Sequence, residues 1–221
     1  MRYAGMLVLA LMLVGCDRKP QPAPAANETA VQVPISGPER RILALGDSLF
    51  AGYGLKSSES YPAQLEAALR AKRINARIRN AGVSGDTSAD GLARLTFTLN
   101  SGPKPDLVLI CLGGNDLLRS LPPAQTRANL EAILVALDNH GIKAMLMGML
   151  APPNLGQDYA TRFDAIYPAL AHQHHTALEP FILQAVIDHP ELLQADHIHP
   201  TALGVQAMVS VTSEEVVKAL R

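Results

Sequence analysis

The sequence contains no tryptophan and few other aromatic residues. Aromatic side chains make up 4% of its 221 residues. With so few rings and no indole, a sugar-stacking platform is not expected as the main binding surface. Hydrophobic residues nevertheless account for 48% of the chain, which excludes general disorder. The core must therefore be built from aliphatic side chains.

Cysteine is also scarce, because the chain has only two, Cys16 and Cys111. Their positions give no basis for a disulfide framework. Cys111 lies inside the apolar run 107–112, where we expect a small buried hydrophobic residue on a strand. Cys16 ends the first apolar segment of the chain and needs a separate explanation.

A strong charge imbalance is absent as well. The formal net charge is -1, and no long run of lysine or arginine occurs. A nucleic-acid partner would require a basic patch, so we expect no such partner. The length fits one domain of ordinary size with an appendage.

The first 16 residues have the pattern of a secretory signal. Arg2 precedes an apolar stretch that ends at Cys16. This stretch is shorter than the roughly 20 residues that a membrane-spanning helix needs, so a signal peptide is predicted. Residues 13–16 also resemble the lipobox of bacterial lipoproteins, whose cysteine is acylated and becomes the mature N-terminus.

The pattern predicts lipidation at Cys16 and attachment to a membrane on the periplasmic side of a bacterial cell envelope. An ordinary signal peptide with a chance cysteine is the alternative, and the choice between inner and outer membrane stays open. Residues 17–40 are rich in proline and alanine and have no apolar periodicity, which indicates a linker. Its reach lies between roughly 27 Å as a flexible coil and roughly 74 Å as extended polyproline.

Residues 41–221 show short apolar runs that alternate with segments of helical period. The runs predicted as strands are 42–45, 76–78, 107–112 and 144–149, with a weaker one near 177–178. The predicted helices lie around residues 65–69, at 130–137 with a stop at Gly141, and after Pro200, which suits the first helical position. Strands that alternate with helices imply crossover connections. The predicted fold is a three-layer α/β/α sandwich with a mostly parallel central sheet.

Ligands of such sheets bind beyond the carboxyl ends of the strands. The loops that follow the first three predicted strands are rich in glycine, aspartate, asparagine and serine, and they span residues 46–49, 80–87 and 113–116. We therefore expect the functional site where these three loops meet.

Residues suited to acyl transfer stand in these loops and near the C-terminus. Such a reaction needs a nucleophile, a base, a group that orients the base, and donors for the developing oxyanion. Ser48 is the candidate nucleophile, and Asp196 stands three residues before His199, a candidate base. Asn115 and the backbone N–H of Gly85 are candidate oxyanion donors. Each also has a purely structural alternative, namely a helix cap, a surface histidine or a turn.

Together these segments resemble the SGNH, or GDSL, hydrolase superfamily. Four blocks occur in the family's order, and the likeness runs from about residue 42 to the C-terminal helix. The blocks are 46–49, 80–87, 113–116 and 196–200. Within the superfamily, the chain is most similar to the bacterial subgroup of multifunctional acyl-CoA thioesterases, arylesterases and lysophospholipases.

The resemblance implies that the central sheet is flavodoxin-like, and it implies a role for each residue. Ser48 is the nucleophile, His199 the base and acid, and Asp196 the residue that orients His199, while the Ser48 N–H, the Gly85 N–H and the Asn115 amide are the oxyanion donors. The implied reaction is hydrolysis of carboxylic esters, and of acyl thioesters or lysophospholipids, through an acyl-enzyme intermediate. No metal and no other cofactor is implied.

One position departs from the family's pattern. The family usually has glycine after the acid of the last block, whereas this chain has His197. If the position requires a positive φ, histidine is less favourable than glycine but is tolerated. The local geometry of that turn is the open question.

Five leucines are candidate substrate-binding residues, because in the resembled subgroup their segments border an acyl-binding groove. An apolar wall there suits medium or long acyl chains. Packing of the domain is the alternative. The five are Leu117, Leu118, Leu121, Leu150 and Leu155.

Three other interpretations stay open. A metal-dependent hydrolase is suggested by the histidines at 172, 174 and 175 and by the alternating His197 and His199, although such a cluster is more often the solvated C-terminus of a helix. A noncatalytic binding module on the same fold is the second. A carbohydrate deacetylase or peptidase is the third, because fold and triad do not fix the leaving group.

Overall fold

The computed structural model describes residues 37–221. The predicted signal segment with Cys16 lies outside these residues, and so does the predicted linker except for residues 37–40. Within the described residues, no helix combines the length and the apolar character needed to cross a membrane.

Five parallel strands form one sheet in the order β2-β1-β3-β4-β5. The strands are β1 (Arg40–Gly46), β2 (Ala76–Gly82), β3 (Leu107–Cys111), β4 (Lys143–Met147) and β5 (Ala177–Glu179). The order is that of a flavodoxin-like sheet, so the predicted fold class is confirmed. The weak fifth strand is present, and β1 begins one residue before the boundary predicted at Arg41.

Helices cover the sheet. They are α1 (Ser48–Ala51), α2 (Tyr61–Ala71), α3 (Ser88–Asn100), α4 (Gly114–Leu118), α5 (Pro123–Asn139), α6 (Gln157–Asp164), α7 (Ile166–His174) and α8 (Ala202–Ala219). One group pairs α2 with α8, and a second group packs α5 against α3 and α7. The three predicted helices correspond to α2, α5 and α8, and the other five are additional to them.

Burial explains which strands take the centre of the sheet. All residues of β3 are buried, including Cys111 as predicted, and β1 is buried from Ile42 onward. Strand β2 carries arginines 77 and 79 and is only partly buried, which suits the edge of the sheet. The core is mostly aliphatic, as the composition requires, although four aromatic side chains are fully buried in it, namely Phe50, Tyr61, Phe163 and Tyr167.

Two details of the predicted helix ends have different outcomes. Helix α5 stops as expected, because Gly141 adopts a left-handed φ of 58° and its N–H donates to the Asp138 carbonyl. The expectation that Pro200 occupies the first position of the last helix is wrong. Thr201 provides the cap instead, since its hydroxyl accepts the Gly204 N–H at 3.1 Å and α8 begins at Ala202.

A close approach between β2 and α1 sets the position of the first functional loop. A Cβ atom at Gly82 would collide with the backbone nitrogen of Ala51 in α1. Only glycine lets the end of β2 press against this short helix, which begins at Ser48. The sheet therefore fixes α1 directly.

Candidate active site

Ser48 is the first residue of α1 and follows β1 through Asp47. The N-cap is Asp47, whose carboxylate accepts the Leu49 N–H at 3.0 Å. The Ser48 side chain is therefore not used as the cap, and its Oγ lies 2.9 Å from Nε2 of His199. The expected place of Ser48, at the carboxyl edge of the sheet near a helix start, is confirmed.

His199 is held on its other side by Asp196. The distance from Nδ1 of His199 to Oδ2 of Asp196 is 2.7 Å. The second carboxylate oxygen accepts the backbone N–H groups of Ile198 and His199, both at 3.0 Å. These hydrogen bonds, with the His199 side chain first, hold the pKa of Asp196 well below its usual range.

The turn between Asp196 and His199 places His197 at a positive φ. His197 adopts a φ of 57°, which is the left-handed region that favours glycine. Its N–H donates to the Gln194 carbonyl at 2.9 Å, which helps to hold the turn closed. This position does adopt a positive φ, and the turn forms with histidine there instead of glycine.

Gln194 and Tyr53 contact His199 and help to hold it in place, and neither was predicted from the sequence as a site residue. The N–H of Gln194 donates to the His199 carbonyl at 2.7 Å. Its side-chain amide donates to the carbonyls of Tyr53 and Pro200, at 2.8 and 2.9 Å. The Tyr53 ring lies over the His199 imidazole with 4.5 Å between ring centroids. Tyr53 stood in the segment that resembles the family, but only the folded chain brings it to His199.

The three candidate oxyanion donors line the same cavity as Ser48 and His199. Among residues 37–221, no acceptor is bonded to the backbone N–H of Ser48 or of Gly85. Gly85 adopts a φ of 89°, so glycine suits this position. The Asn115 amide donates to the Asp86 carbonyl at 2.9 Å, which uses one of its two hydrogens.

Asn115 is also anchored through its neighbour Asp116, which is buried. The Asp116 carboxylate accepts the N–H of Ser88 at 2.8 Å and the hydroxyl of Thr126 at 2.9 Å. It therefore ties α4 to the starts of α3 and α5. Asp116 belongs to the third block of the family resemblance, but its contacts with Ser88 and Thr126 are seen only in the folded chain.

The cavity has a volume of about 550 Å³ and a mostly apolar lining. Four of the five predicted leucines line it, namely Leu117, Leu118, Leu150 and Leu155. The far wall comes from a segment without any signal in the sequence, and it contains Phe181, Leu183, Val186 and Ile187.

Leu121 does not line the cavity, so its assignment to the groove is corrected. The preceding Ser120 adopts a left-handed φ of 50°, which redirects the chain after α4. Leu121 then donates its N–H to the Asp116 carbonyl and accepts the Tyr159 hydroxyl at 2.8 Å. These bonds hold it in the turn before α5.

The histidines at 172, 174 and 175 lie elsewhere. They occupy the last turn and the C-cap of α7. His174 and His175 line a separate cavity with Lys143, the first residue of β4. This cavity lies at the amino ends of the strands, whereas Ser48 lies at their carboxyl ends. Across the described part of the chain, no group of three or more histidine, cysteine or acidic side chains is arranged to hold a metal ion.

Residues 44–207 match the model of the GDSL-like Lipase/Acylhydrolase family. The chain is 44% identical over 165 residues to the protein named Esterase TesA of Pseudomonas aeruginosa, covering 75% of this chain and 81% of that protein. It is 42% identical over 159 residues to the Escherichia coli protein named Thioesterase 1/protease 1/lysophospholipase L1, covering 72% and 74%.

A solved structure of a similar protein has the same fold. The crystal structure of AlinE4, titled a SGNH-hydrolase family esterase, superposes with a TM-score of 0.72. Its sequence is 59% identical, and the match covers 84% of this chain and 99% of that one. The similarity thus extends over the whole described domain.

The buried carboxyl group of Asp47 should make the stability of the folded protein depend on pH. Burial raises the pKa of Asp47 to about 7, opposed by the Leu49 N–H and the charge of His199. Between about pH 4 and pH 7 the folded protein keeps a proton that the unfolded chain releases, so this group's contribution to stability falls as pH rises. Asp47→Asn should therefore gain melting temperature relative to the unsubstituted protein from pH 4 to pH 8.

The control is the exposed Asp138 at the end of α5, changed to asparagine. Thermal unfolding of the three proteins, followed by circular dichroism at several pH values, gives the differences directly, and the titration of histidines common to all three cancels. A constant offset between Asp47→Asn and the unsubstituted protein across this range would contradict the raised pKa.

Proposed function

The chain belongs to the GDSL-like lipase/acylhydrolase family, and from this membership we propose that Ser48, His199 and Asp196 form the catalytic triad of a serine hydrolase of carboxylic esters. The observation that carries the proposal is the continuous chain of hydrogen bonds from Ser48 Oγ to His199 and on to Asp196, at 2.9 and 2.7 Å. It meets the geometric requirement for an activated nucleophile.

The charge of Asp196 assigns the proton on the imidazole. An ionised carboxylate only accepts hydrogen bonds, so Nδ1 of His199 carries the hydrogen between them. Nε2 then has a free lone pair that accepts the Ser48 hydroxyl. This is the tautomer that a general base needs to take the proton of Ser48.

The reaction follows from these positions. Ser48 Oγ attacks the acyl carbonyl while His199 accepts its proton, and the same proton then goes to the departing oxygen or sulfur. The N–H groups of Ser48 and Gly85 and the free amide hydrogen of Asn115 stabilise the oxyanion. Water activated by His199 finally hydrolyses the acyl-enzyme.

The substrate class rests on the apolar cavity and on the names of the relatives. A cavity of about 550 Å³ with leucine walls suits medium or long acyl chains. We extend the proposal to acyl thioesters and lysophospholipids, since the Escherichia coli relative is named a thioesterase and lysophospholipase. Each shares the acyl carbonyl at which Ser48 would act.

Replacement of the nucleophile tests the reaction. Ser48→Ala should fold like the unsubstituted protein and lose at least about 1000-fold in kcat, because no acyl-enzyme forms. The two proteins are compared on p-nitrophenyl esters, acyl-CoAs and lysophospholipids of several chain lengths. Inertness of the unsubstituted protein on all three would favour the binding module, and activity that survives in Ser48→Ala but is lost with a chelator would favour the metal-dependent hydrolase.

The leucines of the cavity wall should determine how well the protein uses substrates with longer acyl chains. Leu118 lines the cavity and is 63% exposed, so Leu118→Ser should preserve the fold. We expect kcat/KM for an octanoyl ester to fall about 10-fold, or roughly 1.4 kcal/mol, with little change for an acetyl ester.

Leu203→Ser is the matched control, because Leu203 is 66% exposed and does not line the cavity. Kinetics of all three proteins on both esters provide the comparison. Equal losses on the two esters in Leu118→Ser would show that Leu118 does not contact the acyl chain.

We also propose that Cys16 is lipidated and holds the domain at a bacterial membrane on the periplasmic side. The support is the apolar stretch that ends at Cys16 and the proline-rich segment 17–40. When the full chain is expressed in a bacterium, it should incorporate labelled palmitate and sediment with membranes, whereas Cys16→Ser should do neither. Label on Cys16→Ser, or none on the unsubstituted chain, would refute the anchor.

A further inference from the structure

Arg94 of α3 lies between two of the loops that supply oxyanion donors. Its Nη2 donates to the carbonyl of Gly46 at 2.9 Å, and its Nε donates to the Asp86 carboxylate at 2.6 Å. The side chains of Arg94 and Asp86 are only 21% and 13% exposed, so this ion pair is shielded from water. Gly46 precedes Ser48 by two residues, and Asp86 directly follows Gly85.

The same arrangement reaches the third donor. The backbone carbonyl of Asp86 accepts the Asn115 amide at 2.9 Å, which orients that side chain. One guanidinium therefore connects, through Asp86, all three segments that carry the Ser48 N–H, the Gly85 N–H and the Asn115 amide. These segments follow three different strands, β1, β2 and β3.

Other hydrogen bonds also join these segments, and between the second and third the backbone N–H and the hydroxyl of Ser88 donate to the buried Asp116 carboxylate. Between the first two, the Val83 N–H donates to the Gly46 carbonyl at 3.0 Å, and between the first and third the Asp47 N–H donates to the Cys111 carbonyl at 3.1 Å. Arg119 donates to the Gly85 carbonyl at 2.8 Å, but that side chain is exposed. Arg94 differs from Arg119 in being partly buried and in bonding to the first two segments at once.

We propose that Arg94 is a positioning residue that sets the spacing of the oxyanion donors in this reaction, and this inference rests on the proposed function above. The planar guanidinium can donate to a carbonyl and a carboxylate in fixed directions, which the single ammonium of lysine cannot reproduce. A displacement of about 1 Å in a donor is enough to reduce a rate by about 100-fold.

Arg94→Lys and Arg94→Ala test the proposal. On a short p-nitrophenyl ester, kcat should fall about 10- to 100-fold in Arg94→Lys and about 100- to 1000-fold in Arg94→Ala, with KM changed less than about threefold. A trifluoromethyl ketone, whose adduct with serine places an oxyanion in the site, should lose affinity in parallel with kcat/KM. The affinity for the fatty acid product should stay constant.

The control is Arg70→Lys, because Arg70 is also partly buried and also donates to a backbone carbonyl, that of Ala76, at the other end of β2. It should retain full activity. Millimolar guanidinium should restore part of the kcat of Arg94→Ala and leave Arg70→Lys unchanged, a result that a loss of general stability does not produce.

The outcomes separate this proposal from the one it rests on. If Ser48→Ala is inactive while Arg94→Ala keeps its kcat and its affinity for the ketone, Arg94 does not position the donors and the triad stands. Equal weakening of ketone and product would likewise overturn the role of Arg94. If Ser48→Ala keeps full activity, both proposals fail.

Discussion

The three loops of the site leave the sheet at the same level because of the parallel register around β1. Gly46, its last residue, pairs with Gly82 of β2 on one side and with Cys111 of β3 on the other. The chain then enters α1 at Ser48 after a single intervening residue, and the missing side chain of Gly82 leaves room for this helix. The remaining parts of the site are placed relative to that fixed point.

Two carboxylates near this point have opposite environments. Asp196 receives hydrogen bonds on both oxygens, which lower its pKa and keep it ionised. Asp47 is buried and bonds to a single backbone N–H, and its pKa is raised. The negative charge beside His199 is therefore that of Asp196, which lies on the Nδ1 side of the ring. Asp47, next to Ser48, instead accepts a backbone N–H of α1.

Much of this arrangement could be predicted from the sequence because parallel sheets impose strict rules. Alternating apolar runs predict the strands, and the carboxyl ends of such strands must share one edge, so Ser48 and Asn115 were expected to lie close together. The pentapeptide of Asp196 and His199 added the base and its partner through short-range spacing. These features depend on local patterns, which a single sequence contains.

The errors and omissions have a different origin. Leu121 leaves the cavity because a single left-handed residue, Ser120, redirects the chain, and no composition rule predicts that serine to adopt such a φ. The contacts of Tyr53 with His199, of Gln194 with Tyr53 and of Arg94 with Gly46 join segments far apart in the chain. Their residue types are ordinary, and only the folded backbone shows which carbonyl each side chain reaches.

The hydrogen bond between Ser48 and His199 joins positions 151 residues apart. His199 is followed by α8, which packs on α2 and exchanges a buried hydrogen bond between Tyr61 and Thr212 at 2.7 Å. The serine is thus synthesised well before its histidine. A growing chain holds the hydroxyl without its partner until residue 199 has been added, so the site can assemble only once the segment that leads into α8 is free to fold onto α2.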